Sequence, residues 1–221
     1  LVAATVGASR AGLLVIATLW IGYLGALAGT ALPGAIASWV IAGQPVYVGG
    51  SAFMGGLAVV VAIYLTLARR CGILPQHAAD LVAPVIPLGQ AIGRLGCLAR
   101  GCCYGQLTQS WLGMMLPDAS GTWLLRFPTQ IISAVANLAI CCLLLYAERR
   151  RAAGHAPAQL QAPGSLLWAY ALLYGSKRFI IEFLRGDGHL VLGPITTAHL
   201  SAALIATTAA LVLVRRARSL I

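Results

Sequence analysis

Apolar residues in this chain come in long runs, separated by short polar stretches rich in Gly, Pro and Arg. Six runs stand out, at 12–31, 50–68, 81–98, 129–147, 164–184 and 194–214. Each is close to the roughly 20 residues that an α-helix needs to cross about 30 Å of hydrocarbon. None shows the period-two alternation of a membrane barrel. The pattern predicts an all-α fold: a polytopic membrane helical bundle of about six transmembrane helices, in a single domain over 1–221. One stretch breaks the pattern. "AAGHAPAQLQAPG" is rich in Ala, Pro and Gln, so 152–163 is expected to be a mobile linker loop with His155 solvated. The chain begins at Leu1, and an upstream segment carrying a further helix is expected.

Composition agrees with burial in lipid. Hydrophobic residues make up 60% of the chain and charged residues 9%, with a mean hydropathy of +0.88. A soluble domain carries about a quarter charged residues. The net charge of +10 invites a nucleic-acid reading, but the basic residues form no single patch. They cluster at the ends of apolar runs, so a membrane is the expected partner and nucleic acid is not. Arg10, Arg69, Arg70, Arg149, Arg150, Arg151, Arg215, Arg216 and Arg218 all fall on one side of a six-span arrangement. That side is expected to be cytoplasmic, with the linker and the C-terminus on it, and the loops near 32–49, 99–128 and 185–193 facing outwards.

Six basic residues escape this topological account: Arg94, Arg100, Arg126, Lys177, Arg178 and Arg185. An arginine within a span costs a few kcal/mol at least, so each needs a partner or a function. Arg94 lies 13 residues after position 81, and Arg178 lies 14 after 164. At 1.5 Å per residue both reach about 20 Å from the cytoplasmic side. Arg178, Glu182 and Arg185 share a helical face through their four- and three-residue spacings. They could form a ladder that neutralises itself. Yet Glu182 compensates one charge, while Arg94, Lys177, Arg178 and Arg185 supply four. The excess calls for an anion, and a phospholipid phosphate suits guanidinium forks. Gly25 with Gly29, Gly55 with Gly56, and Gly93 with Gly96 are expected to let backbones approach closely.

Several motifs resemble those of the prolipoprotein diacylglyceryl transferase family. "GRLGCLARGCCYG" is similar to its signature Gly-Arg-x-Gly-Asn-x-x-Asn-Gly-Glu-x-x-Gly, and "DLVAPVIPLGQAIGR" to the helix leading into it. "YGSKRFIIEFLR" keeps the Arg-x-x-x-Glu-x-x-Arg spacing, "RFPTQ" resembles Arg-His-Pro-x-Gln, and "GGSAFMGG" resembles Gly-Gly-x-x-x-His-Gly-Gly. The resemblance runs from about Gly25 to the C-terminus. It implies a seven-helix enzyme of the bacterial inner membrane, of which the first helix would precede the six seen here. Such an enzyme moves the diacylglyceryl group of phosphatidylglycerol to the cysteine thiol of a prolipoprotein and releases glycerol phosphate. The family's essential arginines fall on Arg94 and Arg178, and its carboxylate on Glu182. These three are the expected catalytic residues. Gly93, Gly96, Tyr104, Gly105, Arg126, Gln130 and Arg185 are the expected substrate-binding residues, and no cofactor is implied.

The departures are chemically pointed. The family's histidine, a candidate base, is Met54 here, and the signature's two asparagines and glutamate are Cys97, Arg100 and Cys102. Leu27 and Thr30 stand where the family often has Arg and Tyr, and Phe127 replaces the histidine of the Arg-His-Pro stretch. The pattern is that of a divergent member whose thiol acceptor could differ. The alternative is a non-catalytic or thiol-redox membrane protein that keeps the lipid-phosphate pocket.

Six cysteines complete the picture. Cys141 and Cys142 lie in an apolar run and read as small buried hydrophobes, while Cys71 borders cytoplasmic arginines. Cys97, Cys102 and Cys103 form a candidate thiol site at the outer edge, where adjacent cations lower a thiol's pKa. They could equally be packing residues or a disulfide, for which Cys97 and Cys102 make the better pair. No metal is expected, because the spacing matches no familiar zinc pattern and His189 and His199 lie elsewhere. His199 reads as a helix-interface histidine.

Overall fold

The computed structural model describes residues 64–66, 68–70, 72–117, 121–186, 190–192 and 195–218, with backbone alone for 190–192. The first apolar run and most of the second lie outside the described residues, as do Gly25, Leu27, Gly29, Thr30, Met54, Gly55, Gly56, Cys71 and His189. The chain divides into two units, Leu1–Leu81 and Val82–Ile221. In the first, helical backbone at 64–66 and 68–70 precedes α1 (Pro75–Val82), and the Tyr64 hydroxyl donates to the carbonyl of Ala78 at 2.6 Å.

The second unit holds the remaining elements. They are α2 (Val85–Arg100), β1 (Met114–Pro117), β2 (Trp123–Arg126), α3 (Thr129–Ala152), the short α4 (Ala158–Gln161), α5 (Ser165–Glu182), β3 (Leu190–Leu192), β4 (Ile195–Thr196) and α6 (Thr197–Arg218). Among the described residues, three helical segments are long and apolar enough to cross a membrane: Pro75–Arg100, Thr129–Ala152 and Thr197–Arg218. The first is interrupted by a turn at 83–84. α5 is equally apolar over most of its 18 residues but carries Lys177, Arg178 and Glu182 near its end. The predicted helical membrane bundle is therefore present.

α3 packs between α2 and α5, and α6 packs along α5. Ile140 and Leu144 of α3 meet Leu166 and Tyr170 of α5 and Ala83 in a small apolar core. Other faces stay apolar and uncovered, with Val135, Leu138 and Leu143 on α3 and Leu200, Leu204 and Leu211 on α6 exposed. In water such faces would be a liability; against lipid they are the required surface. At Gly175 a Cβ would lie 2.8 Å from the carbonyl oxygen of Ala202, so only glycine allows α5 and α6 this close. Gly93 and Gly96 behave otherwise than expected. A Cβ at either meets no atom of the described residues within 4 Å, so among these residues they mark no tight helix crossing.

The loops between the helices contain structure that apolar runs do not reveal. β1 pairs antiparallel with β2, and β3 with β4. Isolated bridges join Gly105 to Arg185 and Leu107 to Arg126, which stitches the loop after α2 to the end of α5. At the opposite ends, Arg216 donates to the carbonyl of Pro163 at 2.7 Å, bringing the C-terminal arginines to the end of the linker.

Candidate active site

α2 ends where Gly101 takes a left-handed conformation at φ 68°. The Gly101 N–H bonds Leu98 O at 3.2 Å, and the Cys102 N–H reaches back to Cys97 O at 3.1 Å. This pair of bonds is a Schellman motif, which folds the second residue past the helix onto its last turn. The contact usually made there by two hydrophobic side chains is made here by Cys97 and Cys102. Cys103 follows at φ 60°, the one positive φ outside glycine among the described residues. α3 locks this turn in place. The buried Gln130 donates its Nε2 to Cys102 O at 2.9 Å, and Thr129 Oγ1 donates to Cys103 O at 2.8 Å.

Gly105 comes next and is closely packed. A Cβ there would run into the carbonyl oxygen of Phe127 and lie 3.0 Å from that of Leu184. Its neighbours exchange backbone bonds with both flanking segments: Gln106 N to Leu184 O at 2.9 Å and Gly186 N to Tyr104 O at 3.1 Å on one side, and Phe127 N to Gln106 O at 3.0 Å on the other. The Arg126 guanidinium stacks over the Tyr104 ring at 4.5 Å from its centroid and is buried. The signature turn, the start of α3 and the end of α5 thus converge on one spot.

The cations line up along that junction. Arg178 pairs with Glu182 at 2.8 Å, and Arg185 approaches the same carboxylate at 3.8 Å. The expected face shared by Arg178, Glu182 and Arg185 is present. Thr196 Oγ1 donates to the other Glu182 oxygen at 3.0 Å. Lys177 Nζ bonds Asn137 Oδ1 at 2.8 Å and sits over the Tyr174 ring at 4.8 Å. Arg94, from α2, lies within electrostatic reach of both Lys177 and Arg178. Among the described residues, neither Arg94 nor Lys177 has a carboxylate partner. Arg178 and Arg185 share one carboxylate, whose Oε2 makes no hydrogen bond beyond these ion pairs, and Lys177 and Arg94 add two further cations nearby.

His199 is buried between Phe179 and Phe183, and its Nδ1 accepts from the Thr196 N–H at 3.1 Å. It is the interface histidine expected from its place on the last helix. Sequence reasoning missed Asn137 and Thr196. A lone asparagine within an apolar run was the available signal for the first. For Thr196 no sequence signal exists, because its role depends on β4 returning over the end of α5.

The thiols depart from expectation in one respect. Cys97, Cys102 and Cys103 are free, with all three Sγ atoms within 4.8 Å of one another. Burial and the neighbouring Cys103 and Cys97 push the Cys102 thiol up to about 11, where nearby cations were expected to lower it. The reason is local. Its thiol turns in under the helix end toward Cys97 O, at 3.7 Å, and meets other thiols there.

The prolipoprotein diacylglyceryl transferase family model matches residues 8–215. The chain is 34% identical over 122 residues to phosphatidylglycerol–prolipoprotein diacylglyceryl transferase 2 of Clostridium perfringens, covering 54% of this chain and 44% of that one. It is 35% identical over 140 residues to the phosphatidylglycerol–prolipoprotein diacylglyceryl transferase of Geobacter sulfurreducens, covering 63% and 50%. Its identity to the Symbiobacterium thermophilum protein of that name is 33% over 171 residues, covering 73% and 59%. The matched region spans about half the length of these curated relatives. With a match over nearly all of its length, a helical membrane architecture and the signature turn beside a cluster of cations, the chain belongs to the prolipoprotein diacylglyceryl transferase family.

Proposed function

We propose that this chain transfers the diacylglyceryl group of phosphatidylglycerol to the cysteine thiol of a prolipoprotein in a bacterial inner membrane. The observation that carries this reading is Arg94, placed without a carboxylate partner among the described residues beside Lys177 and the Arg178–Glu182 pair. Positive charge held in this way within a membrane helix suits a lipid phosphate. The names of the relatives supply the substrates.

In the reaction, the acceptor sulfur forms a bond to the glyceryl carbon as the bond from that carbon to the phosphate ester oxygen breaks. The electron pair leaves on glycerol phosphate, and the thiol proton passes to solvent. Arg94 and Arg178 stabilise the charge that grows on the leaving phosphate. Glu182 fixes the Arg178 fork through its ion pair and is itself held by Thr196. Arg185 adds to the positive field, Tyr104 and Arg126 wall the head-group side, and Gln130 keeps the signature turn in register.

The test is transfer from labelled phosphatidylglycerol to a lipobox peptide in proteoliposomes, read as a thioether-linked product by mass. Arg94→Ala and Arg178→Ala should each lower turnover by roughly 100-fold or more. Full activity in Arg94→Ala would remove the phosphate role. Failure of the parent chain to complement a strain depleted of its own transferase would remove the activity.

A further inference from the structure

The transfer chemistry makes no use of the three thiols gathered at the end of α2. The Schellman turn brings Cys102 onto Cys97, and the left-handed backbone of Cys103 returns a third thiol to the same point. The Sγ atoms lie within 4.8 Å of one another, and all three residues are half-buried, open enough for an ion to enter. We propose that Cys97, Cys102 and Cys103 form a binding site for a thiophilic closed-shell metal ion, such as Zn2+ or Cu+, held by three sulfurs with a further position left to solvent.

The geometry is close to what such an ion needs. Metal–sulfur bonds near 2.3 Å set thiolates about 4 Å apart, so the cluster has to close by less than about 1 Å. The frame around it is already fixed. Gln130 and Thr129 hold the carbonyls of Cys102 and Cys103, and the Cys102 N–H holds that of Cys97. Linear spacing hid the site, because C-x4-C-C matches no zinc pattern until the turn superposes its two ends. Binding releases the thiol protons to solvent and changes no oxidation state. Three thiolates around a divalent ion leave one net negative charge.

Binding requires neither lipid nor acceptor, so its test stands apart from the transfer reading. The reduced, detergent-solubilised chain is titrated with Cd2+ while thiolate-to-metal charge-transfer absorption is followed in the ultraviolet. The expected result is saturation at one ion per chain with the intensity of three thiolates, reversed by competing Zn2+. Cys97→Ser and Cys102→Ser should each weaken binding by roughly tenfold or more, on the scale by which disturbed metal sites lose affinity. Cys103→Gly offers a second route to the same loss, because φ 60° suits glycine and the fold is spared. Circular dichroism of each ion-free variant separates a lost ligand from a lost fold. A titration without saturation, an intensity of two thiolates or fewer, or a band that survives in the triple Cys→Ser variant would overturn the site.

Discussion

At the residue scale, the same chemical group behaves differently according to which neighbours the turn supplies. Cys102 sits near arginines in sequence yet beside thiols in space, so its proton is held more tightly than in a free chain. Its folded value of about 11 exceeds the unfolded value near 8.5, so the folded state binds more protons between these limits. That stabilisation is complete below about pH 8.5 and is lost as pH rises through about 11. In the reduced, ion-free protein, Cys102 should therefore react with iodoacetamide more slowly than an exposed cysteine at pH 8, and accelerate steeply toward pH 11. Peptide-resolved alkylation reads this directly; labelling of Cys102 as fast as an exposed thiol at pH 8 would contradict it. Thr196 offers a second case. Thr196→Val removes the donor to a buried Glu182 oxygen, which should cost about 1–3 kcal/mol. Thermal unfolding should show that loss, and transfer should fall with it because Glu182 steadies Arg178.

At the element scale, glycines in one signature have opposite meanings. Gly105 is squeezed between Phe127 and Leu184, whereas Gly93 meets no neighbour among the described residues. Gly105→Ala should destabilise the fold by about 3 kcal/mol or more through forced separation of three segments. Gly93→Ala should change stability by less than about 0.5 kcal/mol, and a loss of transfer there would mark occupied space. Unfolding midpoints in one detergent compare the two directly. This contrast also shows what sequence could convey. The helices were legible because lipid demands long apolar runs, and the Arg178–Glu182–Arg185 face was legible because helical spacing is regular. The hairpins β1–β2 and β3–β4 were not, since short strands outside the apolar runs carry no such constraint. The grouping of Cys97, Cys102 and Cys103 was legible from their closeness in sequence, but their free thiols and common meeting point depend on the backbone of Gly101 and Cys103.

At the scale of the whole molecule, charge placement sets the reading of sidedness. The linker end and the C-terminal arginines meet through Pro163 and Arg216, away from the junction at Gly105 and Arg185. A cysteine introduced at Ala158 should be labelled by an impermeant maleimide only after cells are opened; labelling in intact cells would reverse the orientation. The junction itself has a mechanical consequence. Four backbone bonds among Tyr104–Phe127, with Leu184 and Gly186, clasp the C-terminal ends of α2 and α5. A clasp made of backbone atoms holds these helix ends together whatever the side chains of the loop, and leaves movement to their far ends. For the lipid proposed above, the end of the bundle nearest Arg178 would then be the rigid one and the opposite end the yielding one.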